Sequence, residues 1–555
     1  MFSGKTAISV DRLAFCAQNT PRKQVHVATS QPWWRDAVIY QVYPRSYADA
    51  DGDGIGDIDG IRARLGHLAD LGVDAIWMSP WYPSPMADAG YDVADFRDID
   101  PVFGTLGGAE ALITEAHALG IRMIVDIVPN HVSSDHVWFR KALADPAAPE
   151  RELFWFRSGE RMPTDWEGEF GGTTWTRTPD GAWYLHLFTP QQPDLNWDHP
   201  RVRAEFEDIL RFWFDRGVDG IRIDSAALLF KDRGLPPVLD GKPHPFHDLD
   251  QVHDVYRAWR RISDSYPDRA LIGEVWMPEV ERFANYLRPD ELHAAFNFDF
   301  LGCAWDPRLM RECIDRTLDA HRAVGAPATW VLSNHDVTRH VTRYGRADTT
   351  FSFDNNLDGT PVDLELGTRR ARAAALLSLS LPGAAYVYQG EELGLWENEN
   401  IPADRIQDPM YARRGHTRDG CRVPLPWSGD EPPFGFSTAE PWLPHPREWK
   451  DRTVQAQTGD PNSMLELYRS AIALRRREDG LHRPEMTWLR SEPGALAYAR
   501  GDEFACVLNM SGAAIALPDH QTCLLSSGPL DGVLLPPDTA VWLRLATDGQ
   551  GAPLQ

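Results

Sequence analysis

Eight short apolar runs separated by helical patterns restrict the fold of this sequence more than any other feature. The runs are apolar throughout, as in parallel strands that are covered on both faces. Helical patterns such as 60–71 and 109–119 lie between several of them, and Gly72 and Gly120 follow these two as helix C-terminal residues. Eight such units predict a (β/α)8 TIM barrel of class α/β, with its active site at the C-terminal ends of the strands. The predicted strands are 37–44, 75–80, 123–128, 220–224, 271–276, 295–298, 329–333 and 384–389.

Two segments interrupt this alternation, and a third pattern follows it. Residues 131–193 are rich in loops and Trp, and we interpret them as a small subdomain inserted after the third strand. Residues 391–450 are dense in Pro and Gly and follow the eighth strand, so both segments should overhang the same barrel face. Short alternating strands at 495–499, 504–508, 524–525, 533–535 and 541–545 predict a C-terminal antiparallel β-sandwich. The predicted domains are an N-terminal extension over 1–30, expected to be flexible, a barrel over 31–130 and 194–478, the insertion over 131–193, and the sandwich over 479–555.

Charge and composition exclude several classes of function. The formal net charge is −25, which repels phosphate backbones and anionic lipid, so we expect no nucleic acid or membrane partner. The sequence contains no run of about 18 apolar residues, which is the length needed to span a membrane. The first thirty residues contain no apolar run typical of a secretory signal, and six scattered cysteines favour reduced thiols, so we expect a cytoplasmic location and no zinc. The 21 Trp residues suit stacking on sugar faces, although core packing is the better explanation for any single one.

Carboxylates follow three different predicted strands. Asp224 ends GIRID, Glu274 lies in LIGEVW, and Asp336 ends SNHD. Any one alone is explained by a salt bridge or a loop cap, but three on one barrel face indicate a site. Glycoside cleavage requires one ionised carboxyl and one that carries a proton. Arg222, two residues before Asp224, should keep Asp224 ionised, whereas Glu274 has no adjacent cation in the sequence and is the better acid.

Four segments together resemble the signature regions of the α-amylase family of glycoside hydrolases. They are DIVPNH, GIRIDSA, GEVW and SNHD, and the likeness extends over about residues 33–545. The segments QPDLN (192–196), IYQVYPRSYADADGDGIGDIDGI (39–61) and ADAGYDVADF (87–96) resemble the branch that contains α-glucosidases and oligo-1,6-glucosidases. The resemblance implies a retaining hydrolase that acts on small carbohydrates, and it leaves the oligomeric state open.

The resemblance also implies a role for each matching residue. Asp224 would be the nucleophile, Glu274 the general acid and base, and Asp336 a third carboxylate that binds sugar hydroxyls. The implied contacts to the innermost glucose are Arg222, His131 and His335. The implied pocket floor is Asp88 and Tyr91, with Arg422 paired to Asp88, and the implied entrance side is Phe188 and Gln192. For Tyr91 and Phe188, plain core packing is the alternative.

Four closely spaced aspartates in 49–57 indicate a cation site. Without a counter-ion these carboxylates would repel one another, and the alternative is a solvated acidic turn. The twelfth position is Gly60 rather than Glu, so the loop is not an EF-hand. The resembling branch carries a structural calcium here, held by the carboxylates of Asp49, Asp51, Asp53 and Asp57 and by the Ile55 carbonyl. We expect calcium, with magnesium as the alternative.

The residue after the nucleophile bears on which bond is cut. In the resembling branch, Val at this position accompanies α-1,6 activity and a small residue accompanies α-1,4 activity. Ser225 stands here, which favours terminal α-1,4-linked glucose in maltose and short maltooligosaccharides, with transglucosylation as an accompanying reaction. An α-1,6-active oligo-glucosidase and a trehalose synthase or other glucosyl-transferring isomerase are the alternatives.

Overall fold

The first three barrel strands follow the predicted alternation of strands and helices. The computed structural model describes residues 31–239, 242, 244–277, 279–351 and 357–546, so the predicted extension over 1–30 lies outside the described residues. Gly72 and Gly120, at φ 87° and 76°, adopt the left-handed conformation expected just after a helix. The elements are β1 (Val38–Val42), α1 (Ile58–Ala63), α2 (Leu65–Leu71), β2 (Ala75–Met78), α3 (Leu106–Ala118) and β3 (Arg122–Ile127).

The segment after β3 forms a small subdomain that packs against the barrel. It contains α4 (Val137–Ala144) and a three-stranded antiparallel sheet of order β4-β6-β5, made of β4 (Phe156–Arg157), β5 (Trp175–Arg177) and β6 (Trp183–Leu185). Its two ends meet in a bridge between His131 and Asp194. Trp155, Trp166 and Trp175 pack with Leu228 and Phe246, which belong to the loop after the next barrel strand. This packing fixes the insertion over the barrel.

Five more parallel strands complete the barrel, which confirms the predicted fold class. The sheet order is β10-β11-β1-β2-β3-β7-β8-β9, and all neighbours in it are parallel. At the seam between β9 and β10, the Thr329 hydroxyl donates to the Ala295 carbonyl over 2.6 Å. The elements are α5 (Pro200–Asp215), β7 (Gly220–Ile223), α6 (Val252–Ser263), β8 (Ala270–Gly273), α7 (Val280–Asn285), β9 (Ala294–Ala295), α8 (Phe298–Gly302), α9 (Pro307–Val324), β10 (Thr329–Val331), α10 (His340–Tyr344), α11 (Leu364–Ser380) and β11 (Ala384–Tyr388).

In the part of the chain that the structure describes after β11, four α-helices are followed by a C-terminal set of antiparallel sheets. Five strands pair in the order β12-β13-β14-β18-β16, β15 pairs with β17, and residues of both sheets share one apolar core. The two-residue strands β12 and β15 were not predicted, because neither is long enough to show an alternating pattern. Within the described residues, no helix has the length and apolar character needed to cross a membrane. The elements are α12 (Pro409–Arg414), α13 (Asp419–Arg422), α14 (Val454–Gln457), α15 (Met464–Arg475), β12 (Thr487–Trp488), β13 (Ala495–Arg500), β14 (Phe504–Asn509), β15 (Ile515–Ala516), β16 (Thr522–Ser526), β17 (Leu534–Leu535) and β18 (Thr539–Arg544).

Candidate active site

Alternation along the barrel strands brings the predicted polar residues together. Ile124 and Ile272 belong to the apolar cluster that fills the barrel interior. Residues two positions apart on a strand share a face, so Asp126 and Glu274 lie directly above them at the C-terminal end of the barrel. The polar groups therefore sit on an apolar layer that excludes water from below.

Arg222 joins three carboxylates at this level. It is buried, and its Nη1 donates to Asp126 at 2.9 Å and to Asp224 at 2.7 Å. Its Nη2 lies 2.8 Å from Glu274 Oε2. Glu274 has no adjacent cation in the sequence, but Arg222 lies beside it in the fold, because β7 and β8 are neighbours and a planar guanidinium reaches both carboxylates at once.

The two reacting carboxyls have different surroundings and different acidities. Burial raises the pKa of Glu274 to about 7, even though Arg222 opposes that shift. Burial also raises the pKa of Asp224 to about 6, with Arg222 and the Ser225 hydroxyl acting against it. The Ser225 hydroxyl donates to Asp224 Oδ2 over 3.0 Å. A raised pKa lets Glu274 keep its proton near neutral pH, which suits a general acid.

Asp336 is held as an anion by three neighbours. The Gln41 amide N–H donates to His335 Nδ1 at 2.7 Å, so the His335 proton lies on Nε2, which donates to Asp336 Oδ2 at 3.1 Å. Arg418 and Arg422 lie 2.9 and 2.8 Å from Asp336 Oδ1. Burial would raise the pKa of Asp336, but these groups outweigh it and lower that pKa below its usual range.

The predicted pairing of Arg422 with Asp88 is wrong. Arg418 pairs with Asp88 at 2.9 Å and with Asp408 at 2.8 Å. Arg422 is the last residue of α13, and its Nε donates to the His335 carbonyl over 2.8 Å. Arg418 directly precedes α13, four residues before Arg422, and of the two it is Arg418 that lines the inner pocket.

An inner pocket of about 310 Å³ contains the site. Seven predicted residues line it: Asp88, Tyr91, His131, Phe188, Asp224, Glu274 and Asp336. The other four substrate residues predicted, Arg222, Gln192, His335 and Arg422, are not in its lining and contact these side chains from behind. Gln192 was expected at the entrance, but it is fully buried and donates to Asp88 Oδ2 over 3.0 Å, so it supports the pocket floor. Residues that sequence reasoning did not place in the wall are Glu169, Phe170, Ser225, Ala227, Leu228, His247, Trp276, Met410, Arg414 and Arg418.

Both overhanging segments contribute to the pocket wall and contact each other. Arg413 of α12 donates to the carbonyls of Gly171 and Phe188 at 2.9 and 3.1 Å. Arg414 donates to the Glu169 carbonyl at 2.9 Å. An outer groove of about 1150 Å³, lined largely by residues 244, 246–251, 275–277, 279–280 and 282–283, shares Glu169, His247, Trp276 and Arg414 with the inner pocket. A molecule that reacts in the inner pocket can therefore extend into the outer groove.

The predicted cation loop brings three of its carboxylates together. One oxygen each from Asp49, Asp51 and Asp57 lie within 4.8 Å of one another. Asp53 lies outside this group, and its Oδ1 accepts the backbone N–H of Ile55 over 2.7 Å. Three hard oxygen ligands fit a calcium ion by their chemistry. The loop follows β1 and shares no residue with the inner pocket.

Comparisons with known proteins extend over most of the chain. The model of the α-amylase catalytic domain matches residues 41–483. A probable α-glucosidase of Rhizobium meliloti (strain 1021) is 37% identical and is aligned over 87% of this chain and 90% of its own length. A trehalose-6-phosphate hydrolase of Escherichia coli (strain K12) is 36% identical over 80% and 84%. The crystal structure of an α-glucosyl transfer enzyme superposes with a TM-score of 0.81 at 32% identity, covering 93% of this chain and 100% of that one.

Proposed function

The chain belongs to the α-amylase family of glycoside hydrolases, and we propose that it is a retaining, exo-acting α-glucosidase that removes terminal α-1,4-linked glucose from maltose and short maltooligosaccharides. The observation that carries this proposal is the inner pocket. Asp224 and Glu274 stand on its wall, joined by Arg222, and the ion pair of Asp88 with Arg418 stands at its floor. Such a floor accommodates a chain end better than the middle of a polymer.

The proposed mechanism uses the two carboxyls in turn. Asp224 attacks the anomeric carbon while Glu274 gives its proton to the glycosidic oxygen, and the bond electrons leave with that oxygen. Glu274, now ionised, removes a proton from water, which displaces Asp224 and releases α-glucose. Asp336, held as an anion, binds sugar hydroxyls. A sugar hydroxyl in place of water gives transglucosylation.

The charge of the outer groove supports a neutral substrate. Its lining includes six carboxylates, Glu167, Glu169, Asp248, Asp250, Glu279 and Asp299, against three Lys or Arg residues, Lys242, Arg282 and Arg414. A phosphorylated sugar in this groove would meet a net negative surface. We therefore favour maltose over a phosphorylated disaccharide such as the one named for the Escherichia coli relative.

Product analysis tests the proposal against its alternatives. The purified protein is incubated separately with maltose, isomaltose, sucrose, trehalose and trehalose 6-phosphate, and the products are followed by NMR. Glucose from maltose as the main early product supports hydrolysis of α-1,4 bonds. Trehalose from maltose would identify an isomerase, and faster cleavage of isomaltose would identify an α-1,6-active oligo-glucosidase.

Ser225 provides a test of linkage preference. It lies in the pocket wall with φ 47°, a left-handed conformation that strains β-branched residues. We expect Ser225→Val to lower total activity about 10-fold through that strain, and to raise the ratio of isomaltose to maltose hydrolysis. Initial rates on the two disaccharides measure the ratio.

Two matched variants separate the causes of that change. Ser225→Ala removes the hydroxyl without adding bulk and should leave the ratio unchanged. Ser225→Thr adds a branch and keeps the hydroxyl, so it should shift the ratio in the same direction as Val. An unchanged or lower ratio in Ser225→Val would contradict a role for this residue in linkage preference.

We also propose that the loop of Asp49, Asp51 and Asp57 binds a structural calcium ion, with magnesium as the alternative. Ligand binding to the folded state at about 100 times Kd stabilises it by about 2.7 kcal/mol. EDTA should therefore lower the Tm, and added calcium should restore it at lower concentration than magnesium does. Asp49→Asn should lower the Tm and remove most of the response to EDTA. A wild-type Tm that is unaffected by EDTA would mean that the loop is only an acidic turn.

The proposed location is cytoplasmic. The five cysteines of the described residues, Cys303, Cys313, Cys421, Cys506 and Cys523, are free thiols, which supports a reducing compartment.

A further inference from the structure

The indole of Trp276 contacts the carboxyl proposed as the general acid. Its Nε1–H donates to Glu274 Oε1 over 3.0 Å. The ring stacks on Phe298 with centroids 3.3 Å apart and planes 14° apart. Trp276 also lines both the inner pocket and the outer groove. The indole therefore lies at the boundary between the inner pocket, which would hold the reacting sugar, and the outer groove, which would hold the leaving group.

The hydrogen bonds of Glu274 distinguish its two oxygens. Oε2 lies 2.8 Å from Arg222 Nη2 and accepts the backbone N–H of Ser225 over 2.9 Å, so both of its acceptor positions are used by fixed donors. Oε1 accepts only the Trp276 bond among the described residues. The indole N–H is a donor only and cannot accept a proton. A proton on Glu274 therefore sits at the remaining position of Oε1.

We propose that Trp276 is a positioning residue that aims Glu274 Oε1 at the glycosidic oxygen and stabilises the negative charge that forms on Oε1 as the proton leaves. This inference rests on the proposed role of Glu274 as general acid. In the step, the Oε1–H bond breaks, the proton joins the glycosidic oxygen, and the electron pair of the O–H bond stays on Oε1. The Trp276 hydrogen bond strengthens as that charge develops.

Several charged or titratable groups face Glu274, so a test of its hydrogen bonds must leave these groups unchanged. Arg222 and Asp224 belong to β7 and its end, and Asp336 follows β10. Glu169 of the insertion, His247 of the loop after β7, and Arg414 and Arg418 after β11 share the pocket wall. Trp276 is the neutral donor among the side chains that contact Glu274, so its hydrogen bond can be removed without changing the net charge of the site.

The test is Trp276→Phe on two substrates with different leaving groups. The leaving group of maltose is glucose, whose O4 would depart as an alkoxide without the proton, whereas p-nitrophenyl α-glucoside releases a stable phenolate and does not need it. Loss of a hydrogen bond to a charged group predicts a fall in kcat/KM for maltose of about 10- to 100-fold. For the aryl glucoside we expect a fall of less than about 3-fold, because proton transfer contributes little to that step. The alkaline limb of the pH profile should move upward, because the ionised form of Glu274 loses a donor.

Controls separate this role from packing and from the proposed function itself. Phe298→Leu removes the ring that supports the indole but keeps the N–H, so its alkaline limb should stay in place. If Trp276→Phe does not fold, replacement of Trp276 by a benzothienyl alanine removes the N–H from a ring of the same shape. Equal losses on both substrates with an unmoved alkaline limb would overturn the inference. If Glu274→Gln hydrolyses maltose normally, the proposed function fails instead.

Discussion

Replacing Asp224 by Asn should lower maltose turnover by at least about 10⁴-fold, because an amide of the same size is neither charged nor a nucleophile. Glu274→Gln should lower it by about 10²- to 10⁴-fold, the usual contribution of a general acid. Both variants keep the buried Arg222 paired with Asp126, so the fold should survive. Steady-state rates on maltose and a Tm for each variant measure the two effects.

Added azide assigns the two roles separately. In Asp224→Gly, azide can enter the space of the lost carboxyl and displace the leaving group directly, which gives the β-glucosyl azide. In Glu274→Gly, azide attacks the glucosyl enzyme in place of water, which gives the α-glucosyl azide. Asp336→Gly is the matched control from the same pocket and should give neither product. The opposite pairing of variant and anomer would exchange the two assignments.

Loss of Arg418 should lower both the stability and the activity of the protein strongly, because this side chain neutralises three carboxylates. It pairs with Asp88, Asp336 and Asp408, and only 10% of the side chain is exposed. Breaking a buried pair by removing one partner costs about 3–5 kcal/mol, so Arg418→Met should lower the free energy of unfolding by about that amount. Without Arg418, Asp88 and Asp336 should move from their positions, and kcat/KM should fall about 100-fold or more. Chemical denaturation and steady-state rates measure these effects.

The pH dependence of this stability loss follows from Asp408. Burial would raise the pKa of Asp408, but the charge and hydrogen bonds of Arg418 lower it from 3.8 to about 2. A depressed folded-state pKa adds stability above the unfolded value and loses it as the pH falls. The stability difference between wild type and Arg418→Met should therefore shrink between about pH 4 and 2. Arg418→Lys keeps the charge and should recover part of the stability. If Arg418→Met is as stable and active as wild type, the ion pairs do not support the pocket.

Residues on strands were predictable because period-two alternation is a local property of the sequence. Asp126, Arg222 and Glu274 occupy interior positions that follow directly from the apolar interior residues below them. The contact of Arg222 with Glu274 was not predictable from one strand alone, because the two residues belong to different strands. It depends on β7 and β8 lying side by side with Arg222 opposite Ile272, two residues before Glu274.

Residues that reach the pocket from loops were harder to predict. Arg418 and Arg422 have the same charge and lie four residues apart, so only the path of the chain after β11 decides which one meets Asp88. Trp276 lies two residues after Glu274, and that spacing could have shown that the two share a face. Its hydrogen bond to Oε1 depends on the rotation of the indole, which the two-residue spacing does not show.

The anomeric form of newly released glucose tests most directly whether Asp224 forms a covalent glucosyl enzyme. Proton NMR during the first minutes of maltose hydrolysis, before mutarotation mixes the anomers, distinguishes the two forms. Attack by Asp224 followed by attack of water inverts the carbon twice, so α-glucose should appear first. Initial accumulation of β-glucose would mean a single displacement by water and would contradict the role assigned to Asp224.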